Sequence, residues 1–133
     1  MRYSALLKIA KLEENEILES ISHTNLKLSN LNEVIKLKNN SINHCKSISN
    51  NPTNIMITMS ALNHIDLLYK ELNILNNQKQ IILNELELLN NRLSEKKSER
   101  KGLEKLIENH KKIQMKHKEK KEQNFLDELN SIE

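Results

Sequence analysis

The sequence of 133 residues is poor in the residues that build turns and broad cores. It contains no tryptophan, one glycine and one proline, and only 2% of its residues are aromatic. β-Sandwiches and α/β domains need many turns, which depend largely on glycine and proline, so these absences argue against both classes. The residues that are present, 29% charged and 37% hydrophobic, are typical of long helices that bury apolar side chains along a narrow stripe.

Other absences limit the chemistry and the location of the protein. The single cysteine, Cys45, excludes an internal disulfide and is consistent with a reducing compartment. The chain contains no run of about 18 apolar residues, so we expect no membrane-spanning helix. The formal net charge of +3 is small and gives little support to a nucleic-acid or anionic-membrane partner.

Two stretches repeat apolar residues at alternating steps of three and four, which is the spacing of a coiled coil. We call the residues at these positions the seam of each predicted helix. The seam of the first helix is Tyr3, Leu7, Ala10, Glu14, Ile17, Ile21, Thr24, Leu28, Leu31, Ile35, Lys38, Ile42 and Cys45. The seam of the second helix is Ile65, Leu68, Leu72, Leu75, Lys79, Ile82, Leu86, Leu89 and Leu93.

The only proline, Pro52, lies between these two stretches and cannot continue a helix. Thr53 or Asn54 is suited to cap the helix that follows. We therefore predict an all-α, single-domain chain over residues 1–133, with a first helix at about 4–48, a turn at about 49–55 and a second helix at about 56–130. A short connection between two amphipathic helices predicts an antiparallel coiled-coil hairpin, in which each helix covers the seam of the other.

The two predicted helices differ in length by about 30 residues, so the C-terminal part of the second helix overhangs the first. Antiparallel pairing from Pro52 places Tyr3 beside about Arg100, and Gly102 where the first helix ends. Lys96 and Arg100 lie on the seam and predict a splayed or partner-facing section. Apolar residues continue beyond Gly102, and we expect them to dock on another protein. The predicted partner-binding residues are Leu68, Leu103, Ile107, Phe125, Leu126, Asp127, Glu128 and Leu129.

No pattern for catalysis or for cofactor binding is visible. The chain has no Ser/His/Asp arrangement, phosphate-binding loop or cysteine pair. His110 and His117 share a helix face, but no cysteine or carboxylate stands at a suitable spacing to complete a metal site. We therefore predict a protein that is not an enzyme, with no metal, no cofactor and no small-molecule substrate.

The C-terminal sequence Leu126-Asp127-Glu128-Leu129, which closes a basic helix, resembles the ending of the flagellar export protein FliJ family and its type III secretion relatives. Glu95-Lys96-Lys97 stands upstream at a similar spacing, and the opening Leu7-Lys8-Ile9-Ala10-Lys11-Leu12-Glu13 is similar to the family's first helix. The resemblance covers essentially the whole chain, including its length and the position of its break.

The resemblance implies a two-helix antiparallel coiled coil that resembles the stalk of a rotary ATPase. Its implied partners are the ring of the export ATPase, the export gate protein and export chaperones, which it escorts. It implies a role in flagellum biogenesis, flagellar protein export and chemotaxis. It also implies a cytoplasmic location, with peripheral membrane association through partners at the inner face of the inner membrane. The gate-contacting patch would include Leu68, whereas His64 stands where the family can carry an aromatic residue.

Three alternatives remain open. The first is the stalk of a virulence type III secretion system. The second is a nucleic-acid-binding arm, although no aromatic residue is interleaved for base stacking. This arm would use the basic residues Lys111, Lys112, Lys116, Lys118, Lys120 and Lys121. The third is a homodimeric scaffold coiled coil.

Overall fold

The computed structural model describes residues 2–51 and 54–132, so the predicted break at Pro52 and the alternative cap Thr53 lie outside the described residues. The described chain is all-helical, with α1 at Arg2–Asn50 and α2 at Ile55–Ile132. The two long helices pack against each other, as the paired seams predict. Each helix extends one or two residues past its predicted ends, which is within the usual fraying of helix termini.

α2 begins at a side-chain cap supplied by Asn54. The backbone N–H of Met56 donates to Asn54 Oδ1 at 2.9 Å, and the backbone N–H of Thr58 donates to the Asn54 carbonyl oxygen at 3.1 Å. The first N–H groups of a helix have no intrahelical acceptor, and an asparagine at this position satisfies one of them. The predicted cap at Asn54 is therefore confirmed.

The helices divide into two units, of which one comprises Leu18–Asn91. Its core is a small apolar cluster of Ile42 and Cys45 from α1 with Ile65, Leu68 and Leu72 from α2. Polar contacts flank this cluster. Lys38 Nζ lies 2.7 Å from Glu71 Oε2, and Lys46 Nζ lies 5.7 Å from the centroid of the Tyr69 ring. The Lys38–Glu71 contact has the distance of an ion pair but not the alignment of a hydrogen bond.

The other unit comprises Met1–Ile17 with Arg92–Glu133. Within its described residues, Ala10 is buried at the contact between α1 and α2. Tyr3, Leu7 and Ile17 on α1 and Leu93 on α2 are half-buried. Neither helix, over the stretches described, contains a segment apolar enough to cross a membrane.

Candidate partner-binding site

A cluster of ion pairs joins α1 and α2 in the unit that contains both chain ends. Arg100 Nε donates to Glu14 Oε2 at 2.7 Å, and the Glu14 side chain is only 12% exposed. Arg100 Nη1 also donates to Glu104 Oε1 at 3.2 Å, one turn further along α2. Lys96 makes an ion pair with Glu13 of α1 and a second, at 3.3 Å, with Glu99. Four carboxylates therefore surround two cations at this point.

The carboxylates raise the pKa values of both basic side chains. The pKa of Arg100 lies above its ordinary value, first because of the hydrogen bond to Glu14 and then because of the one to Glu104. The pKa of Lys96 is raised first by its hydrogen bond to Glu13 and then by the one to Glu99. A nearby negative charge favours the protonated cation, so the four carboxylates stabilise the charged forms of both side chains.

These pairs correct two expectations from the sequence. Lys96 and Arg100 do not mark a splayed section, because α1 supplies acidic partners to both. Arg100 also lies beside Glu14 and not beside Tyr3. The physical reason is that a heptad pattern looks the same after a shift of seven residues, so periodicity alone does not select which heptads face each other. Opposite charges on the two seams distinguish the observed pairing from its alternatives.

Glu13 and Glu14 are the residues that the sequence reasoning missed. Helical acids are usually solvated, and an acidic residue on a seam has no obvious partner until the second seam is aligned with the first. Glu14 lies at a seam position among apolar residues, as Arg100 does on the other helix. The opposite charges at these two seam positions are the sequence feature from which the ion pair could have been predicted.

A shallow apolar groove of about 500 Å³ lies next to the ion pairs. Leu6, Ile9 and Ala10 form one wall, and Leu103 and Leu106 form the other. Gly102 also lines the groove, and no other side chain comes within 4 Å of the place where its Cβ would be. Gly102 is helical, with a negative φ, so it does not break α2. The expectation that α1 covers α2 only as far as Gly102 is also wrong, because Leu103, Ile107 and His110 of α2 are still half-buried.

The last part of α2 is exposed along its whole described length, from Lys111 to Ile132. We call this segment the tail. Its apolar residues Phe125, Leu126 and Leu129 are exposed, at spacings that place them on one side of the helix. Asp127 is exposed and accepts a hydrogen bond from Gln123 Nε2 at 3.2 Å, and Glu128 is also exposed. The structure places Phe125, Leu126 and Leu129 on one side of the tail, with Asp127 and Glu128 on its other sides, and leaves all five residues accessible.

Metal binding has no support from the arrangement of side chains. In residues 2–51 and 54–132, no group of three or more His, Cys, Asp or Glu side chains is placed to hold a metal ion. Cys45 is buried in the core cluster, where a cysteine acts as a small apolar side chain.

Comparison with known proteins identifies the family. The model of the flagellar FliJ protein family matches residues 1–133, the whole chain. The chain belongs to the FliJ family. No curated protein and no solved structure matches it. Membership implies a protein related to flagellar export.

The predicted contact residue Leu68 is buried. The resemblance implied that Leu68 belongs to a patch that contacts the export gate, but Leu68 is only 3% exposed and belongs to the core cluster. Leu67 and His64 on the same helix are exposed. A gate contact here therefore requires either a surface made by exposed neighbours of Leu68 or a local separation of α1 from α2. Leu68 remains a prediction as a contact residue.

Proposed function

We propose that this FliJ-family protein is a stalk and escort factor of flagellar protein export. In this role it docks in the ring of the export ATPase, contacts the export gate protein and handles export chaperones. It acts by binding and catalyses no reaction. It works in the cytoplasm and reaches the inner face of the inner membrane through its partners. The observation that carries the proposal is the family match over the whole chain, combined with a helical tail whose apolar residues are exposed.

The stalk role rests on an antiparallel hairpin with an overhanging C-terminal helix. Contacts within residues 18–91 support antiparallel pairing, because Lys46 contacts Tyr69 while Lys38, earlier on α1, contacts Glu71, later on α2. The exposed tail supports the overhang, since every described residue from Lys111 onward is accessible. α2 has 78 residues, and the 22 described residues of the tail alone would span about 33 Å at 1.5 Å per residue.

The tail has the chemistry of a helix that binds in an apolar groove with acidic borders. Phe125, Leu126 and Leu129 supply the apolar anchors, and an exposed aromatic side chain is a common energetic centre of an interface. The segment before them carries lysines, of which Lys116, Lys118 and Lys120 are all exposed. We expect these lysines to increase the association rate with an acidic ring surface, and the apolar anchors to supply most of the affinity.

The test is the binding of purified full-length chain to the purified export ATPase. The variant Phe125→Asp with Leu129→Asp is expected to weaken binding by at least about tenfold, because it removes two anchors from one helix face. The matched control is Ile113→Asp with Met115→Asp, which adds the same two charges to exposed apolar positions of the tail. The control is expected to bind nearly as the parent does. Equal loss in both variants would show a general charge effect, and no loss in either would overturn tail docking.

The nucleic-acid alternative uses the same tail lysines. The salt dependence of binding distinguishes it from the export role. Binding to phosphates weakens steeply as the salt concentration rises, whereas binding through apolar anchors does not. Binding of duplex DNA or RNA that is lost on replacing Lys116, Lys118, Lys120 and Lys121 by glutamine, with no ATPase binding, would favour that alternative over the export role.

A further inference from the structure

α2 carries a second apolar stripe that is separate from its seam. Leu67, Ile74, Ile81 and Leu88 are 51%, 59%, 66% and 65% exposed, and each is seven residues from the next. We call these four residues the outer stripe. All of them lie within the unit of residues 18–91, and none packs in its core cluster. At 1.5 Å per residue, the outer stripe is about 32 Å long.

The spacing of the outer stripe indicates what kind of structural element can cover it. Residues seven apart on a helix differ in direction by only about 20°, so the four side chains form one continuous face. An apolar ladder with this repeat matches the side chains of another helix that runs lengthwise along α2. We propose that the outer stripe binds the same stripe of a second copy of this chain, as a parallel and in-register pair of α2 helices.

The polar residues beside the outer stripe favour this occupant. Polar residues form two edges, one on each side of the outer stripe. The first edge lies three residues after Leu67, Ile74 and Ile81 and consists of Lys70, Asn77 and Asn84. The other edge, four residues after them, consists of Glu71, Gln78 and Glu85. In a parallel, in-register pair related by a two-fold axis along the helices, the first edge of one copy faces the second edge of the other. Lys70 then meets Glu71 of the second copy, whose carboxylate also pairs with Lys38 of its own α1, and the two amides Asn77 and Gln78 meet each other.

An antiparallel pair fits less well. When the two stripes run in opposite directions, like edges face each other, and Glu71 of one copy comes opposite Glu85 of the other. Like charges placed across a helix interface are destabilising. The parallel pair has no such juxtaposition along the outer stripe, and each lysine has an acidic partner. Charge complementarity therefore selects both the occupant and its direction.

α1 borders the same surface. Val34, which is exposed, lines a shallow cavity of about 210 Å³ together with Ile74 and the Lys38–Glu71 ion pair. A face about 32 Å long and about 10 Å wide is smaller than the roughly 800 Å² per partner of a standard stable interface. The pair is therefore expected to be reversible and to depend on concentration. It does not require the tail, so it is independent of the proposed export function.

The first test is sedimentation equilibrium of the full-length chain across the micromolar range. The apparent mass is expected to rise from the monomer value of 15.6 kDa toward twice that value. The variant Ile74→Asp with Ile81→Asp is expected to weaken the dimer by at least about tenfold. Its matched control is Leu62→Asp with Leu83→Asp, which changes two exposed apolar residues of α2 outside the outer stripe.

A dimer that persists unchanged in the Ile74→Asp, Ile81→Asp variant would overturn the proposal, since another surface would then hold the copies together. A monomer at every concentration would also overturn it. Helicity by circular dichroism, equal in parent and variants, shows that the loss is not caused by unfolding. Binding to the export ATPase is measured on the same samples, and the result for the tail does not depend on the result for the outer stripe.

The second test determines the direction of the pair. In a Cys45→Ala background, which removes the native thiol, Ile81→Cys is expected to form a disulfide-linked dimer under mild oxidation. Disulfide formation needs the two Cα atoms within about 7 Å, and a parallel, in-register pair brings every position of the outer stripe beside itself, so Ile74→Cys in the same background is expected to link as well. An antiparallel pair can bring at most one of positions 74 and 81 beside itself, so linkage at only one of them would overturn the assigned direction. The control Leu83→Cys in the same background is expected to remain unlinked. Linkage of Leu83→Cys with none at position 81 would overturn the assignment.

Discussion

Glu14 and Arg100 occupy seam positions on different helices and meet through a hydrogen bond of 2.7 Å from Arg100 Nε to Glu14 Oε2. Both side chains are largely covered, at 12% and 24% exposure. A covered ion pair differs from an exposed one, because each charge has lost part of its hydration and depends on its partner. The pair selects a particular alignment of two otherwise repetitive seams.

We therefore expect Arg100→Met alone to destabilise the protein more than the double replacement Glu14→Leu with Arg100→Leu. The single change leaves a covered carboxylate without its partner, whereas the double change places two leucines where a coiled-coil seam prefers apolar residues. The melting temperature should fall by on the order of a few degrees in the single variant and be equal to or above that of the parent in the double variant. Thermal melts followed by circular dichroism would measure this. A double variant as unstable as the single one would contradict the prediction.

The raised pKa of Lys96 gives the ion pairs a defined pH dependence. The folded protein holds this proton more tightly than the unfolded chain, whose lysine pKa is near 10.5, so the stabilisation is fully present below that pH. It is lost as the pH rises through the higher pKa of the folded state. The difference in melting temperature between the parent and Lys96→Met should accordingly be constant from neutral pH to about pH 9 and shrink above pH 10.5.

Lys105→Met is a suitable control for that series, because Lys105 is an exposed lysine of the same helix. Its melting temperature should stay close to that of the parent across the same pH range. A difference for Lys96→Met that grows with rising pH would contradict the assigned sign.

Periodicity predicted which residues of each helix are covered. Every residue of the two predicted seams is buried or half-buried, including the polar seam members Glu14, Thr24, Lys38 and Lys79. This success has a simple cause, since steps of three and four leave one face of a helix for the partner. The predicted alignment of the two seams was wrong, since it placed Tyr3 rather than Glu14 beside Arg100. The observed alignment depends on the short connection and on ion pairs such as Glu14–Arg100, neither of which changes the period.

The exposed residues were harder to interpret than the covered ones. The sequence predicted the apolar residues of the tail as a docking surface, and the structure leaves Phe125, Leu126 and Leu129 accessible. The outer stripe beginning at Leu67 was missed because its residues alternate with seam residues in one apolar stretch. Only the exposed fractions separate the two sets, as the adjacent residues Leu67 and Leu68 show.

Replacing Gly102 by alanine is expected to stabilise the protein by about 0.5–1 kcal/mol. Gly102 lies inside α2 with an ordinary helical backbone, and beyond its chain neighbours and the adjacent turns of its own helix backbone the added methyl group meets no atom within 4 Å. The gain arises because alanine loses less conformational freedom than glycine when a helix forms. Denaturant unfolding followed by circular dichroism would measure the change.

Ser98→Ala provides a comparison for Gly102→Ala, since Ser98 is also exposed and one turn earlier on α2. Its effect should be smaller, because serine is closer to alanine than glycine is in helix propensity. A loss of stability in Gly102→Ala would mean that the groove lined by Leu6, Ile9 and Leu103 closes more tightly than the described contacts indicate. Unchanged stability would indicate that this part of α2 does not form cooperatively with the rest.

Substitutions of the neighbouring residues Leu67 and Leu68 distinguish a role in core packing from a role in surface binding. Leu68→Ala should lower the free energy of unfolding by about 2–4 kcal/mol, because it leaves a cavity in the cluster formed with Ile42 and Cys45. Leu67→Ala should change it by no more than about 0.5 kcal/mol, since that side chain is half exposed. Denaturant unfolding below the concentration at which copies associate would measure both values.

The same two variants also test the gate contact. If the export gate protein binds exposed neighbours of Leu68, Leu67→Ala should weaken binding while leaving the fold intact, and Leu68→Ala should weaken it only in proportion to unfolding. If instead Leu68→Ala abolishes binding under conditions where circular dichroism shows it fully helical, the leucine itself must reach the partner. That result would require α1 and α2 to separate locally at the core cluster when the gate protein binds, because a side chain 3% exposed offers almost no surface to a partner otherwise.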